Sequence, residues 1–416
     1  MTNGRAGGWI RGLIHLHSRY SDGKSTVRGL SELARDAYGY EYLIFTDHAE
    51  CMDRESFARY AEECRDVSGP DLVVIPGLEI ATVWSGGSQD RSQAHTVAFS
   101  RDPWALQRLL PLKPSRNILS SWMPQPGAPP ATRRLRERLA EIGSVSAAAH
   151  QFSYSKASAG HGLTFGPFDY RYDLANLRPD DGVDFYYGNL IEVDHEAEDM
   201  ALYSGMQARW AAAQQGGEVT APPWAYTGSD YHFSLWQSRV AKYRFVPRSG
   251  LPALPVGILS RWNPARELIE WADRWLSPGH EQLRRVTWLG LDDDLSTEAV
   301  IEALERRRTC ATRGRTNTIN WLNITPMPGT REEGPVRAKT PEISLYLQFE
   351  RPTTRPLFAA LFRDGVEISG FSQTFGEGKT SLWLNWKDEE AALGVHSYVA
   401  VVSGKLVTSP ILIDKT

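Results

Sequence analysis

His15-Leu16-His17-Ser18-Arg19-Tyr20-Ser21-Asp22-Gly23 closes the first apolar segment of the chain and places three possible metal ligands, His15, His17 and Asp22, within eight residues. Two readings compete for it, a polar loop and one corner of a metal site, and what surrounds it must choose. Upstream, Gly8 to Ile14 reads as a strand. Downstream, Thr26 to Tyr38 carries Val27, Leu30, Leu33, Ala34 and Ala37 at helical spacing, with Gly39 where a helix would stop. Tyr42-Leu43-Ile44-Phe45 then makes a buried strand.

The cycle repeats. Asp53 can cap a helix that presents Phe57, Tyr60, Ala61 and Cys64 on one face, and Leu72-Val73-Val74-Ile75 is the next strand. Further strands are expected at His95 to Phe99, Val145 to Ala149, Leu190 to Val193 and Trp224 to Thr227, and helices at Ala131 to Ile142, Glu196 to Gln215 and Ser296 to Arg308. Short apolar runs alternating with amphipathic stretches, from Trp9 onwards, are the pattern of a parallel α/β sheet or barrel, and seven strands are within reach. Pro111 to Pro130 and His161 to Asp184 read as long loops.

After about Thr316 the period becomes two. Ile343, Leu345, Leu347 and Phe349 alternate with polar positions, as do Leu382, Leu384 and Trp386, then Tyr398, Ala400 and Val402. Asp364-Gly365 signals a hairpin, so the tail is expected to be a small all-β sandwich. The expected division is a flexible N-terminus over 1–8, an α/β barrel over 9–315 and a β-sandwich over 316–416, sizes that suit 416 residues.

Composition narrows the function. A formal net charge of -4 and a pI of about 6.2 offer no basic field for nucleic acid or anionic membranes, so any phosphate recognition must be local. The three cysteines, Cys51, Cys64 and Cys310, are scattered without a CxxC pair, which disfavours both a disulfide framework and a thiolate zinc site. MTNGRAGG has no apolar h-region and no window reaches about 18 uncharged apolar residues, so a cytoplasmic protein is expected. The fourteen tryptophans are spread over both expected domains and are read as packing residues, not as a carbohydrate platform.

Six of the ten histidines fall at or beside predicted strand ends. His15 and His17 follow the first strand; Asp47 and His48 follow the second; Glu79 follows the third; His95 opens its own run; His150 follows Val145 to Ala149; Asp230 and His232 follow Trp224 to Gly228. In a parallel barrel all carboxyl ends open on one face, so these side chains would converge. A His/Asp/Glu set without thiolate suits zinc, manganese or iron with positions left open for water and substrate. Spacing by two, in His15-x-His17 and Asp230-x-His232, puts both side chains on one face of an extended segment.

The ordered set HLHSRYSDG, FTDH, PGLE, AHTVAF, AAAH and TGSDYH resembles the successive motifs of the PHP (polymerase and histidinol phosphatase) family over about Trp9 to Phe233, with an echo at Glu298 to Gly314. The resemblance implies a distorted (β/α)7 barrel with two or three divalent metal ions (Zn, Mn or Fe). It implies one site of His15, His17, Glu79 and Asp230, a second of Asp22, His48 and His232, and a third of His95 and His150 bridged by Glu79. The tail and its TSPILID stretch resemble the β-sandwich of the subgroup that includes carbaryl and other carbamate hydrolases.

The expected function is a metal-dependent phosphoesterase that uses metal-bound hydroxide on a phosphomonoester or phosphodiester, a small or short substrate. The alternatives are hydrolysis of a carbamate, ester or amide bond, and a non-catalytic metal-bound scaffold with a partner-binding β-domain. Arg19 and Lys24 beside the first motif are the expected substrate contacts, with Arg313 and Arg315 as further candidates. The run Arg133, Arg134, Arg136, Arg138 reads as a solvated helix face, while His161, His195, Phe165, Phe168, Tyr170 and Tyr172 are candidates for a lid. Cys51 is read as an inert thiol.

Overall fold

The computed structural model describes residues 8–21, 23, 25–84, 92–110, 131–150, 154–155, 168–169, 182–186, 196–217, 221–231, 283–313, 318–331 and 334–416. The strand expected at Leu190 to Val193 and the loop Pro111 to Pro130 lie outside these residues.

Strand β1 (Gly8–Leu16) leads to helix α1 (Val27–Tyr38). The helix starts where the Thr26 hydroxyl oxygen accepts from the Gly29 N–H and ends at Gly39, whose φ of 64° only glycine adopts at little cost. After β2 (Tyr42–His48), α2 (Arg54–Val67) is closed by a reciprocal capping box between Asp53 and Ser56, contributing about 1 kcal/mol, and buries the expected Phe57, Tyr60, Ala61 and Cys64. The next elements are β3 (Val73–Trp84), β4 (Ser92–Phe99), α3 (Pro103–Gln107), α4 (Ala131–Glu141), β5 (Val145–Ala149), the short β6 (Tyr154–Ser155) and β7 (Phe168–Asp169), and β8 (Gly182–Asp184). Then come α5 (Glu196–Gln215), β9 (Trp224–Tyr226), β10 (Gly228–Tyr231), β11 (Arg285–Leu291), α6 (Thr297–Glu305) and β12 (Thr309–Arg313).

These strands form a curled, mixed sheet. β1, β2 and β3 run parallel, β5 is parallel to β8 and β8 to β9, and β10 is parallel to β1. Only Thr227 separates β9 from β10, so the pairing that leaves β1 through β2 returns to it through β10. The expected all-parallel order fails at β4, which is antiparallel to both β3 and β5. Seven residues join β3 to β4, too few for the crossover of about a dozen that a parallel pair requires. β11, an apolar strand not anticipated, pairs antiparallel with the first half of β1.

The tail is all-β, as expected. β13 (Ile319–Thr325), β15 (Glu342–Phe349) and β19 (Ser381–Lys387) make a separate antiparallel sheet. β14 (Val336–Ala338), β16 (Leu357–Arg363), β17 (Val366–Glu367), β18 (Gln373–Phe375), β20 (Gly394–Val402), β21 (Leu406–Thr408) and β22 (Ile411–Lys415) join the large sheet, which they reach where β21 pairs with β12. Leu345, Leu347 and Leu384 of the separate sheet share one hydrophobic cluster with Leu361, Ala400 and Val402 of the other strands. Asp364 and Gly365, at φ 51° and 81°, turn β16 into β17 as the two-residue hairpin signal requires. Among the described residues no helix is long and apolar enough to cross a membrane.

Candidate metal centre

Glu79 is the point where distant segments meet. The sequence places it after the third strand, but β3 runs on through Pro76-Gly77-Leu78-Glu79, and the carboxylate sits mid-strand opposite His48 of β2. The strand can continue because Gly77 has no side chain: a Cβ there would stand 2.6 Å from the Ala98 carbonyl oxygen and 2.9 Å from that of Phe45. Glu79 is 1 % exposed.

His15 reaches it by a route the two-residue spacing does not describe. Ile14 pairs with Ile44 and Gly228, Leu16 with Phe45 and Tyr231, and His15 is the extra residue of a β-bulge at φ 69°. The bulge turns both imidazoles to the same oxygen: Nε2 of His15 lies 3.2 Å and Nε2 of His17 3.1 Å from Glu79 Oε2, with Nδ1 of His48 at 3.4 Å. Asp230 Oδ1 completes the group, 3.6 Å from His15 Nε2 and 3.5 Å from His17 Nε2. On the other oxygen, Oε1, His95 Nδ1 approaches to 2.6 Å and His150 Nε2 to 3.1 Å, and these two nitrogens are 3.2 Å apart. His15, His150 and Asp230 all hold left-handed backbone, at φ 69°, 33° and 46°, a strain of about 1–3 kcal/mol each that the surrounding strands sustain.

Two groups of side chains that could hold a metal ion therefore share Glu79: His15, His17, Glu79 and Asp230, and Glu79, His95 and His150. The donor set fits a divalent ion. Oxygen and nitrogen ligands about 2.1 Å from a common ion stand roughly 3–4 Å from one another, the spacing seen between them. Glu79 Oε2 and His15 Nε2 are buried without a hydrogen-bond partner of adequate geometry among the described residues, a cost of about 1–3 kcal/mol each that coordination would remove.

The electrostatics balance around the carboxylate. Burial pushes Glu79 up, but His15, His95 and His48 hold it well below the usual carboxylate range. Burial pulls His95 down against the attraction of Glu79. His150 is opposed by burial yet raised to about 9 by Glu79, with Asp230 and Asp184 behind it. Protons on these rings would leave as a metal arrives.

Asp22, His232, Lys24, Arg315, His161 and His195 lie outside the described residues, as do Phe165, Tyr170 and Tyr172; of the lid candidates Phe168 is in β7. Arg19 is exposed at the loop after His17, its backbone N–H donating to the Ser25 carbonyl. Arg313 ends β12, its N–H donating to the Lys405 carbonyl. The solvated reading of the arginine run fails at Arg136, which is buried on α4 at 2 % exposure because its position faces inward with Leu139. Cys51 is half-buried just after His48, whereas burial pushes the Cys64 and Cys310 thiols up; none of the three is in a disulfide.

Two carboxylates have positioning roles that the motifs did not reveal. Asp47 accepts from the Ser18 N–H and hydroxyl, both at 2.7 Å, and from the Ser21 hydroxyl at 2.5 Å, fixing the loop that carries His17. Asp184, buried and pushed up to about 6 by burial against two backbone donors, accepts from the N–H of Gly228 at 2.5 Å and of His150 at 3.1 Å. It therefore ties the backbone at His150 to that just before Asp230. Its only sequence signal is the alternation Val183-Asp184-Phe185, hidden in a stretch whose glycines and aspartates read as loop.

No family model matches the chain, and no curated protein does. Among solved structures it is similar to a two-domain protein from Bacteroides vulgatus containing a predicted PHP-like metal-dependent phosphoesterase, at 13% identity and a TM-score of 0.38, over 100% of this chain and 97% of that one. It is also similar to a candidate metal-dependent phosphoesterase from Bifidobacterium adolescentis (17% identity, TM-score 0.31) and to an amidohydrolase from Chromobacterium violaceum with bound sulfate and no metal (16% identity, TM-score 0.29). Each of these two alignments covers 53% of this chain and 87% of the other. With TM-scores this low, the functional reading rests on the side chains described above.

Proposed function

We propose that this chain is a metal-dependent phosphoesterase of the PHP type, acting on a small phosphomonoester or phosphodiester. The observation that carries the reading is the sharing of Glu79: its Oε2 faces His15, His17 and Asp230 while its Oε1 faces His95 and His150. Two ligand groups joined by one carboxylate suit a pair of divalent ions, which when bound would polarise the phosphoryl oxygens and make an attacking water more acidic. Zinc, manganese and iron all fit imidazole and carboxylate donors.

The chain's own residues do the rest. His15, His17 and Asp230 orient one group, His95 and His150 the other, and Asp47 and Asp184 hold the backbones that carry them. His48 stands at the edge of the first group. Arg19, exposed in the loop after His17, is the proposed anchor for a phosphate that is not itself bound to metal, with Lys24 close to it in sequence.

The test is metal analysis of purified protein joined to a turnover screen over nucleotides, sugar phosphates, phosphodiesters and carbamate esters. Phosphoester turnover that disappears in Asp230→Ala supports the reading. Turnover confined to carbamate or carboxylic esters would replace it with carbonyl hydrolysis at the same centre, and a metal-loaded protein inert to the whole panel would leave the scaffold reading.

A further inference from the structure

The separate sheet of the tail turns one face inward with Ile319, Leu322, Leu345, Leu384 and Trp386, and the other face to solvent. That outer face is not a plain polar surface. Trp383 is 75 % exposed and Trp321 43 %, and between them on the central strand lies Tyr346. The Trp321 ring is 5.2 Å from that of Tyr346 at 69°, and the Trp383 ring 6.4 Å from it at 90°, so both indoles stand edge-on to the tyrosine. The three rings bound a cavity of about 500 Å³ whose remaining wall is Asn323, Ser344, Gln348 and a part of Leu345.

Register explains the arrangement. Asn323, Tyr346 and Trp383 lie directly opposite one another across β13, β15 and β19; Trp321 and Gln348 form the next row on that face, and Ser344 and Asn385 the row on the other side. Along each strand, aromatic positions on this face are thus followed by amide or hydroxyl ones. Among the described residues no charged side chain lines the cavity, and beyond the row of Ser344 and Asn385 the charges of Glu342 and Lys387 lie 3.6 Å apart as a pair.

From this geometry we infer that the outer face of the β13–β15–β19 sheet is a binding site for a neutral carbohydrate. A pyranose offers an apolar C–H face that packs on indole and phenol rings, and a rim of hydroxyls that both donate and accept, as the amides of Asn323 and Gln348 do in return. Neutral lining selects an uncharged ligand. A protein partner would require about 800 Å² per side with an apolar centre inside a polar rim. This face has polar groups among its rings and a volume in the range of small-ligand sites, about 300–1,000 Å³. The site is independent of the metal centre and of the activity proposed for it.

The test is affinity electrophoresis of the full chain through gels containing hydroxyethyl cellulose, β-glucan, galactomannan or starch, followed by calorimetry with oligosaccharides of whichever retards it. Retardation by at least one polymer is expected, with affinity falling roughly tenfold or more in Trp383→Ala and in Trp321→Ala and metal content unchanged. Because both indoles project into solvent, these variants should keep the wild-type circular dichroism; Gln348→Ala, at an exposed position, should weaken binding as well. No retardation by any of the four polymers, or equal retardation of wild type and all three variants, overturns the assignment. So does a wild-type dimer that Trp383→Ala converts to monomer without any carbohydrate effect, which would give the face to a second copy of the chain.

Discussion

A single added methyl group tests whether Asp184 supports the metal centre. Gly228 begins β10, two residues before Asp230, and a Cβ there would press on Asp184 Oδ2 while lying 3.0 Å from both its Cγ and its Oδ1. In Gly228→Ala the carboxylate must retreat by roughly an ångström to reach ordinary contact, in a core packed too tightly to absorb that freely. Its two hydrogen bonds, 2.5 Å to the Gly228 N–H and 3.1 Å to the His150 N–H, cannot both survive the move. One buried N–H left without its acceptor costs about 1–3 kcal/mol and overpacking about 1–3 kcal/mol, so a loss near 3 kcal/mol is expected. Because the lost acceptor anchors a ligand backbone, metal affinity should fall about 10–100-fold. Urea unfolding of chelator-stripped protein gives the first number and titration against metal buffers the second. Gly205→Ala is the control of opposite sign: it lies in α5 with nothing within 4 Å of the new Cβ, and should stabilise by about 0.5–1 kcal/mol. A Gly228→Ala protein within about 0.5 kcal/mol of wild type, binding metal as tightly, would refute the role given to Asp184.

Glu79→Gln keeps the shape but turns an amide N–H₂ toward one imidazole group; metal content at buffered free zinc or manganese should drop for both groups together, and a variant that loses one ion and keeps the other would show that the carboxylate does not bridge. Gly23→Ala should disorder the first motif, since a Cβ at 23 would collide with the His17 carbonyl carbon and lie 2.6 Å from the Ser18 nitrogen; turnover should fall with the fold intact by far-ultraviolet circular dichroism. Lys405, 8 % exposed, is pushed down to about 8 by burial and by Arg313 and Arg284. The native state therefore binds fewer protons than the unfolded chain between pH 8 and 10.5, and stability should rise with pH across that window. The gap of 10.5 less about 8 corresponds to about 3 kcal/mol, or about 2 kcal/mol after solvent screening. Lys405→Met should gain that much at pH 7 and nothing near pH 10.5, read from urea midpoints; a pH-independent difference would count against it.

Local physics was legible where a short stretch carries its own constraint. Thr26 and Gly39 mark the ends of α1, Asp53 the start of α2, and Asp364-Gly365 the hairpin, because each solves a backbone problem within a few residues. The histidines were legible as a set because strand ends repeat, although Asp22 and His232 fall outside the described residues. The tryptophans were not. Burial is a property of the sheet face, so Trp386 is core and Trp383, three residues earlier on the same strand, is surface, and only the partner strands decide which is which.

What the sequence determined by itself is the alternation of α and β elements, the β tail and the choice of imidazole and carboxylate at the strand ends, since hydrophobic period and ligand chemistry are written residue by residue. Tertiary structure alone decided the antiparallel β4, the bulge that aims His15, the central place of Glu79 and the roles of Asp47 and Asp184. Those depend on which backbones lie side by side, and that is set by pairing between segments tens to hundreds of residues apart, where no local pattern records the partner.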